Sequence, residues 1–448
     1  MNDLTENGKK RDVYFLIFKF FLFIQFIILI FEIVLPVKSA IGNFSHRFLI
    51  NVLFFSIIFV VALFTKDFFY HKKRTKINTQ KVRLLSLKKL SFLINLSTSL
   101  GFLGIAMLIV DRVILKGIDY SLGLRHARYQ WENAVSPSVF SEIISMLGNI
   151  LVPMAFISIL LLFLYWEDLK TIRRLNNLVI SSLNVLLFAA MNGSRSLIFI
   201  QVFLLLCISI LRKYKNRSII PAKRRGKRSD KKFYFFLLIA ILYVISVFNS
   251  SAALGDYSSK YLFEIFSNDL GGQVKDGYYL FLNNILNENS IIYSLFSAII
   301  YLIHSQWTTE AILLLPTKEG DIFFYSILHF LNQLGILNEA PIGYQYAGLF
   351  ISLPGAIIYD FGFTGLIILS IIYGLLLGIV ILLIKNPNNS GGLSFALILF
   401  VLSSIYVAPF IPAHGFIYFN FIVFDVILLH FISRIFFGKS TWLHLDSK

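Results

Sequence analysis

Apolar runs of about 15 to 25 residues recur along the chain, separated by polar connectors. That spacing suits helices crossing the roughly 30 Å hydrocarbon layer of a bilayer. Ten such helices are predicted, at residues 13–35, 48–64, 90–110, 140–165, 176–191, 197–211, 233–249, 363–384, 393–409 and 416–432. The runs are continuous rather than alternating, which excludes the strands of a membrane β-barrel. Two further stretches are ambiguous. Residues 291–303 are apolar but too short to cross alone, and 350–359 are interrupted by Pro354. If both cross, the total becomes twelve and the two ends of the chain stay on the same side. The fold class is therefore an all-α polytopic membrane protein.

The pattern divides the chain into a helical region 1–250, a long polar segment 251–362, and a second helical region 363–448. The polar segment holds acids such as Asp256, Glu264, Glu310 and Asp360, and only three basic residues, Lys260, Lys275 and Lys318. Within it, Ser294, Ser297, Tyr301 and His304 recur at steps of three and four, and so do Ser326, His329 and Gln333, with Asn332 beside them, along residues 322–337. Each set reads as one polar stripe on an otherwise apolar helix lying at the membrane interface. Either stripe faces water or it lines a cavity.

Composition agrees: 57% hydrophobic residues, 15% charged and a mean hydropathy of +0.75 lie outside the range of soluble domains. The net charge of +17 is not spread as in a nucleic-acid-binding protein. About 30 of the 41 Lys and Arg fall in the N-terminus, in alternate connectors and in the C-terminal tail, which by the positive-inside rule puts both termini in the cytoplasm and 251–362 outside. The polar residues 1–12 precede a run with no small-residue cleavage site, so the first run reads as a span and not as a signal peptide. The single Cys207 sits in an apolar run, which rules out cysteine metal sites and internal disulfides. Nucleotide and metalloprotease motifs are absent, and no cofactor is expected.

Arg195 stands against the charge bias, in the short turn Asn192-Gly193-Ser194-Arg195-Ser196 on the outer side. Its planar fork with the Ser194 hydroxyl suits phosphate oxygens, while the plainer reading is an Arg reaching for lipid headgroups. The connector 111–139 adds Arg112, Lys116, Arg125, His126 and Arg128, interleaved with Tyr120, Tyr129 and Trp131. Cations beside aromatic faces suit a sugar joined to phosphate, while the plainer reading is a solvated loop decorated with charges. His414 sits at the outer entrance of the tenth span, either in the same cavity or capping a turn. Asp425 lies mid-span, where a structural hydrogen bond is expected, and Gly374 with Gly378 form a small packing surface.

Many spans, a large late outer loop and an Arg in a Gly-Ser-Arg turn together resemble the Wzy-type polymerases of bacterial O-antigen and capsular polysaccharide. The stretch from Pro354-Gly355-Ala356 to Tyr359-Asp360-Phe361-Gly362-Phe363-Thr364-Gly365 is similar to the segment that often follows their outer loop. The resemblance implies a bacterial plasma-membrane glycosyltransferase, working on the outer face. It would pass a growing glycan from undecaprenyl diphosphate to the next lipid-linked repeat unit. Implied partners are that donor and acceptor, the bilayer, a chain-length regulator and a flippase, with no nucleic acid. On this reading Arg195, Ser194, Arg125 and Arg128 bind diphosphate, and His304, Glu310 and Asp360 are the catalytic candidates. Tyr129, Trp131, Trp307 and His414 would contact sugar. An O-antigen ligase, or a flippase for the same lipid-linked units, is the alternative.

Overall fold

The computed structural model describes residues 13–40, 44–74, 84–121, 124–134, 138–166, 168–169, 171–192, 196–219, 258–314, 321–333, 336–342, 350–385, 391–438 and 441–445. In chain order the first elements are α1 (Val13–Val34), β1 (Val37–Ser39), α2 (Phe44–Arg74), β2 (Leu84–Leu85), α3 (Leu87–Ile109) and α4 (Leu124–Asn133). Then follow α5 (Val139–Leu151), α6 (Pro153–Leu164), α7 (Thr171–Met191), α8 (Ser196–Ile219), α9 (Ser259–Asp269) and β3 (Gly272–Val274). The last are α10 (Asp276–Ile285), α11 (Ile291–Leu313), α12 (Tyr325–Gln333), α13 (Leu353–Lys385), α14 (Gly392–Val407), α15 (Ile417–Phe437) and β4 (Thr441–Leu445).

Among the described residues, seven helical stretches are long and apolar enough to cross a membrane, and Leu197–Arg212 and Gly392–Val407 are shorter apolar helices. The protein is an all-α membrane protein. The span expected at 233–249 lies outside the described residues. The span expected at 140–165 is present as one membrane-length stretch, Val139–Leu164, which Val152 divides into α5 and α6. Pro153 has no N–H to donate and starts α6 at a position where none is needed.

Two other expectations change. Residues 291–303 are only the first half of α11, a 23-residue helix whose polar stripe is buried against protein and not turned to open water. Ser294, Ser297 and His304 are all closed off from solvent. The helix foreseen over 322–337 is shorter, with α12 spanning only 325–333. Helix α13 begins at Leu353, and its axis breaks at Gly362, where a φ of 67° is open to glycine alone among unstrained residues. Its first N–H, on Leu353, is satisfied by the Ala408 carbonyl beyond α14 (2.7 Å).

Helices α2 and α13 pack closely. A Cβ on Gly374 would meet Val61 Cβ at 2.7 Å, and one on Gly378 would meet Thr65 Cβ at 2.5 Å. The glycines thus let the two backbones approach, as the four-residue spacing suggests. Asp425 departs from expectation: its carboxylate is fully buried on α15 with no hydrogen-bond partner among the described residues, while His430 accepts the Gly392 N–H.

Connectors gather at two ends of the bundle. At one end β1 pairs antiparallel with β3, and Lys275 Nζ caps α1 by donating to the carbonyls of Glu32, Ile33 and Leu35 at 2.9–3.2 Å. Burial holds the Lys275 ammonium below its ordinary pKa, against the pull of Glu32. The α14–α15 connector belongs there too, since Ser305 Oγ donates to the Pro409 carbonyl (3.1 Å). At the other end β2 runs parallel to β4, and Lys89 Nζ donates to the Phe437 carbonyl (3.0 Å).

Candidate functional site

A cavity of about 730 Å³ opens at the end that carries α9–α12. Its size is in the range of small-molecule sites. Four parts of the chain build its walls. The connector after α3 supplies Lys116 and Trp131, α5 supplies Glu142, Ser145 and Asn149, and α12 supplies Tyr325, Ser326 and His329. Tyr418 at the start of α15 closes it and donates its hydroxyl to Asn149 Oδ1 (3.3 Å).

The Lys116 wall has a local cause. Helix α3 ends in a wide π turn, Val110–Leu115, in which the Lys116 N–H reaches five residues back to the Asp111 carbonyl (2.9 Å). Such turns insert an extra residue and re-aim side chains, often at functional sites. Here the turn puts Asp111 inside the protein, where Oδ2 pairs with Lys116 Nζ (2.9 Å) and Oδ1 accepts the Ser141 hydroxyl (2.5 Å). Ser141 is in the first turn of α5, and the Ser138 hydroxyl caps that turn by accepting the Ser141 N–H (3.2 Å). Glu142 follows in the same turn, where a carboxylate is favoured by the helix dipole. One buried aspartate therefore locks the lysine and the glutamate walls together.

Arg112 holds the aromatic side. Its guanidinium lies 4.5 Å from the Trp131 ring centre and donates to the Met191 carbonyl (2.8 Å) and to Asn192 Oδ1 (2.9 Å). It ties the Trp131 wall to the end of α7. Ser194 and Arg195, the diphosphate candidates that follow in sequence, lie outside the described residues. So does the side chain of Arg125, whose backbone is in α4. Arg128 and Tyr129 are exposed on α4, and neither lines the cavity.

The other candidates make contacts with the backbone. Asp360 accepts the N–H groups of Ile322 (3.1 Å) and Phe323 (2.6 Å), and His414 Nε2 donates to the Phe323 carbonyl (2.8 Å). Together they clamp the Phe323 peptide two residues before α12. His304 does the same for Phe350. Its Nδ1 faces the Tyr301 carbonyl (2.9 Å) and so carries the proton, leaving Nε2 to accept the Phe350 N–H (3.1 Å). A second proton would set Nε2–H against that N–H. Burial also opposes the charge, so His304 and His414 are each held down to about 4.

Trp307 is buried in the core. Glu310 faces Arg47 (3.9 Å), which also pairs with Glu32 (3.1 Å), at the mouth of a separate groove between α1 and α2. Neither residue lines the cavity. Of the sugar-contacting candidates only Trp131 does.

Sequence reasoning passed over Glu142, Ser145 and Asn149. Their spacing of three and four residues along an apolar helix is the same signal that marks the stripe of α12. Among the described residues no three His, Cys, Asp or Glu side chains gather as metal ligands. Compared with family models, curated proteins and solved structures, the chain finds no match.

Proposed function

We propose that the chain is a glycosyltransferase of the bacterial plasma membrane, joining oligosaccharide repeat units carried on a lipid diphosphate. The observation that carries the reading is the cavity itself. Two basic or aromatic residues of the 111–139 connector, Lys116 and Trp131, face the ionisable pair Glu142 and His329 across one space. The reading adopts ten spans, with 233–249 among them, both termini in the cytoplasm and the cavity on the outer side. The resemblance to Wzy-type polymerases motivates it, and the charge bias of the connectors supports the orientation.

The chemistry follows from what such a transfer needs. The acceptor hydroxyl attacks the anomeric carbon of the donor sugar while a base takes its proton. The bond from that carbon to the diphosphate oxygen breaks, and the diphosphate leaves with the electron pair. On this reading Glu142 or His329 takes the proton, and Lys116, with Arg195 as its partner, meets the developing negative charge. Trp131 offers a ring face for a sugar.

The test is complementation of a strain lacking this chain, with glycan length read on a gel. Restored long polymer by the native chain and single repeat units with Glu142→Gln support the reading. Complete polymer left on the lipid carrier indicates a ligase, and repeat units trapped inside indicate a flippase.

A further inference from the structure

The groove between α1 and α2 has no part in that reaction, and its lining is of another kind. It encloses about 370 Å³ and carries six phenylalanines, Phe18, Phe21, Phe26, Phe48, Phe55 and Phe59. From Phe18 to Glu32 it follows α1 for about 21 Å, more than the ~15 Å half-thickness of the hydrocarbon layer. Its deep end is closed by the edge-to-face contact of Phe18 and Phe59 (4.9 Å). Its sides are open, for Leu22, Phe26, Phe48 and Val52 all remain exposed on the faces of two spanning helices. On spanning helices such exposed apolar faces are open to lipid.

Apart from the Ser56 hydroxyl, the groove's polar side chains occur in the other half. Glu32, Arg47 and Gln306 mark its mouth, and Gln25 and Asn51 sit one to two turns deeper. Asn51 is 8% exposed. Its amide nitrogen donates to the Arg47 carbonyl (3.0 Å) and to Gln306 Oε1 (2.8 Å), while its Oδ1 has no partner among the described residues. The Gln25 Nε2 is likewise buried without one. An acceptor and a donor left unpaired in an apolar groove cost free energy unless something fills it. Arg47 is already bracketed by the carboxylates of Glu32 and Glu310. An anionic head would have to approach both.

We propose that the α1–α2 groove binds one membrane lipid, its hydrocarbon chain along the phenylalanines and an uncharged or zwitterionic polar group at Gln25 and Asn51. This does not rest on the transferase reading. The length and lateral opening suit a chain drawn from the leaflet, and the one polar end matches the amphipathy of a lipid. The ester carbonyl of such a lipid accepts from Gln25, and a hydroxyl or ammonium donates to Asn51.

The test uses the full-length protein in nanodiscs containing a diacyl phospholipid with a diazirine on one chain, as phosphatidylethanolamine or as phosphatidylglycerol. After illumination the adducts are mapped by mass spectrometry. Expected are adducts concentrated on groove residues of α1 and α2, over those on the lipid-facing Ile367 and Ile371 of α13. Phosphatidylethanolamine should label the groove about tenfold better than phosphatidylglycerol, the value of one net hydrogen bond or charge contact. Val52→Trp fills the groove from its exposed side and should remove these adducts, leaving those on α13 unchanged. Ser56→Leu is a second filler should the first fail to fold. Even labelling of all lipid-facing helices, or labelling indifferent to both fillers, overturns the site. Equal or stronger labelling by the anionic lipid overturns the proposed head group. Crosslinks between two copies of the chain across α1 and α2 would replace the lipid by a second protomer.

Discussion

The α5–α12 cavity and the α1–α2 groove lie at opposite extremes of how a membrane protein uses polar side chains. The cavity is walled by Lys116, Glu142 and His329 among hydroxyls and amides, and its charged groups come from separate parts of the chain. In the groove the polar groups are few, gathered toward one end apart from Ser56, and set beside six aromatic rings. The buried ion pairs differ as well. Asp111 satisfies both a lysine at the cavity and the serine that starts α5, so its pairing sets geometry. Arg47 is shared by Glu32 and Glu310, and its pairing joins α1, α2 and α11 without aiming a reactive group at open space. The lesson is that a titratable residue in a polar loop is a weak pointer to chemistry, and one facing an enclosed volume is a stronger pointer.

The sharpest way to break the comparison is to disable each region in turn. Glu142→Gln and His329→Ala should each reduce polymer formation by about 10²–10⁴-fold, the usual yield of a positioned acid or base, with unchanged protein levels. Val52→Trp in the groove should leave turnover within severalfold. Turnover lost only in the groove variant would reverse the assignment of the two regions.

Asp111→Ala comes next. It leaves the Lys116 ammonium without its carboxylate in a partly buried setting and frees Ser141. Removing one partner of a buried pair costs about 3–5 kcal/mol, so the thermal midpoint of the purified protein should fall clearly. Glu310→Gln keeps the Glu32–Arg47 pair and should cost less. Comparable losses from the two variants would erase the distinction between a pair that sets geometry and one that is shared.

Much of the fold was legible in the pattern of apolar runs, because span length is a local property. Helix α13 shows where that stopped. Pro354 reads as an interruption, yet it sits in a first turn, and the true break is at Gly362, which only the backbone dihedral reveals. The candidate site was legible in half. Lys116, Trp131 and His329 stand out as cations, aromatics and a stripe. Glu142 looks like a stray acid at the edge of a span until the fold sets it on the same cavity as α12. His304, Asp360 and His414 share the chemistry of catalytic residues, and what separates them is that backbone groups occupy their polar atoms. No spacing rule carries that information.

These two histidines also give the pH dependence. His304 and His414 titrate at about 4 in the folded protein, against about 6.5 in the unfolded chain. The unfolded state therefore binds more protons between those values. Stability is fully present above about pH 6.5 and is lost as the pH falls toward 4, by about 1.4 kcal/mol per unit for each histidine. Thermal unfolding in detergent at pH 7.0, 6.0 and 5.0 measures the slope. His304→Asn retains a donor and an acceptor without a titrating group, and should flatten it by about half. A slope unmoved by that variant places the titration elsewhere.

The smallest effect separates recognition from scaffold within the cavity. Trp131 both faces the open volume and stacks on Arg112 at 4.5 Å. Trp131→Leu keeps apolar bulk and loses the ring face, which should cost about 1–2 kcal/mol of cation–π attraction in a desolvated setting. If the ring also holds a sugar, apparent affinity for the lipid-linked repeat unit weakens while maximal rate stays nearly constant. Trp131→Phe then recovers part of both. Should Trp131→Leu lower stability and leave affinity untouched, Trp131 belongs to the Arg112 clamp alone. The sugar face of the cavity would then fall to Tyr325 and Tyr418, which line the same space from α12 and α15.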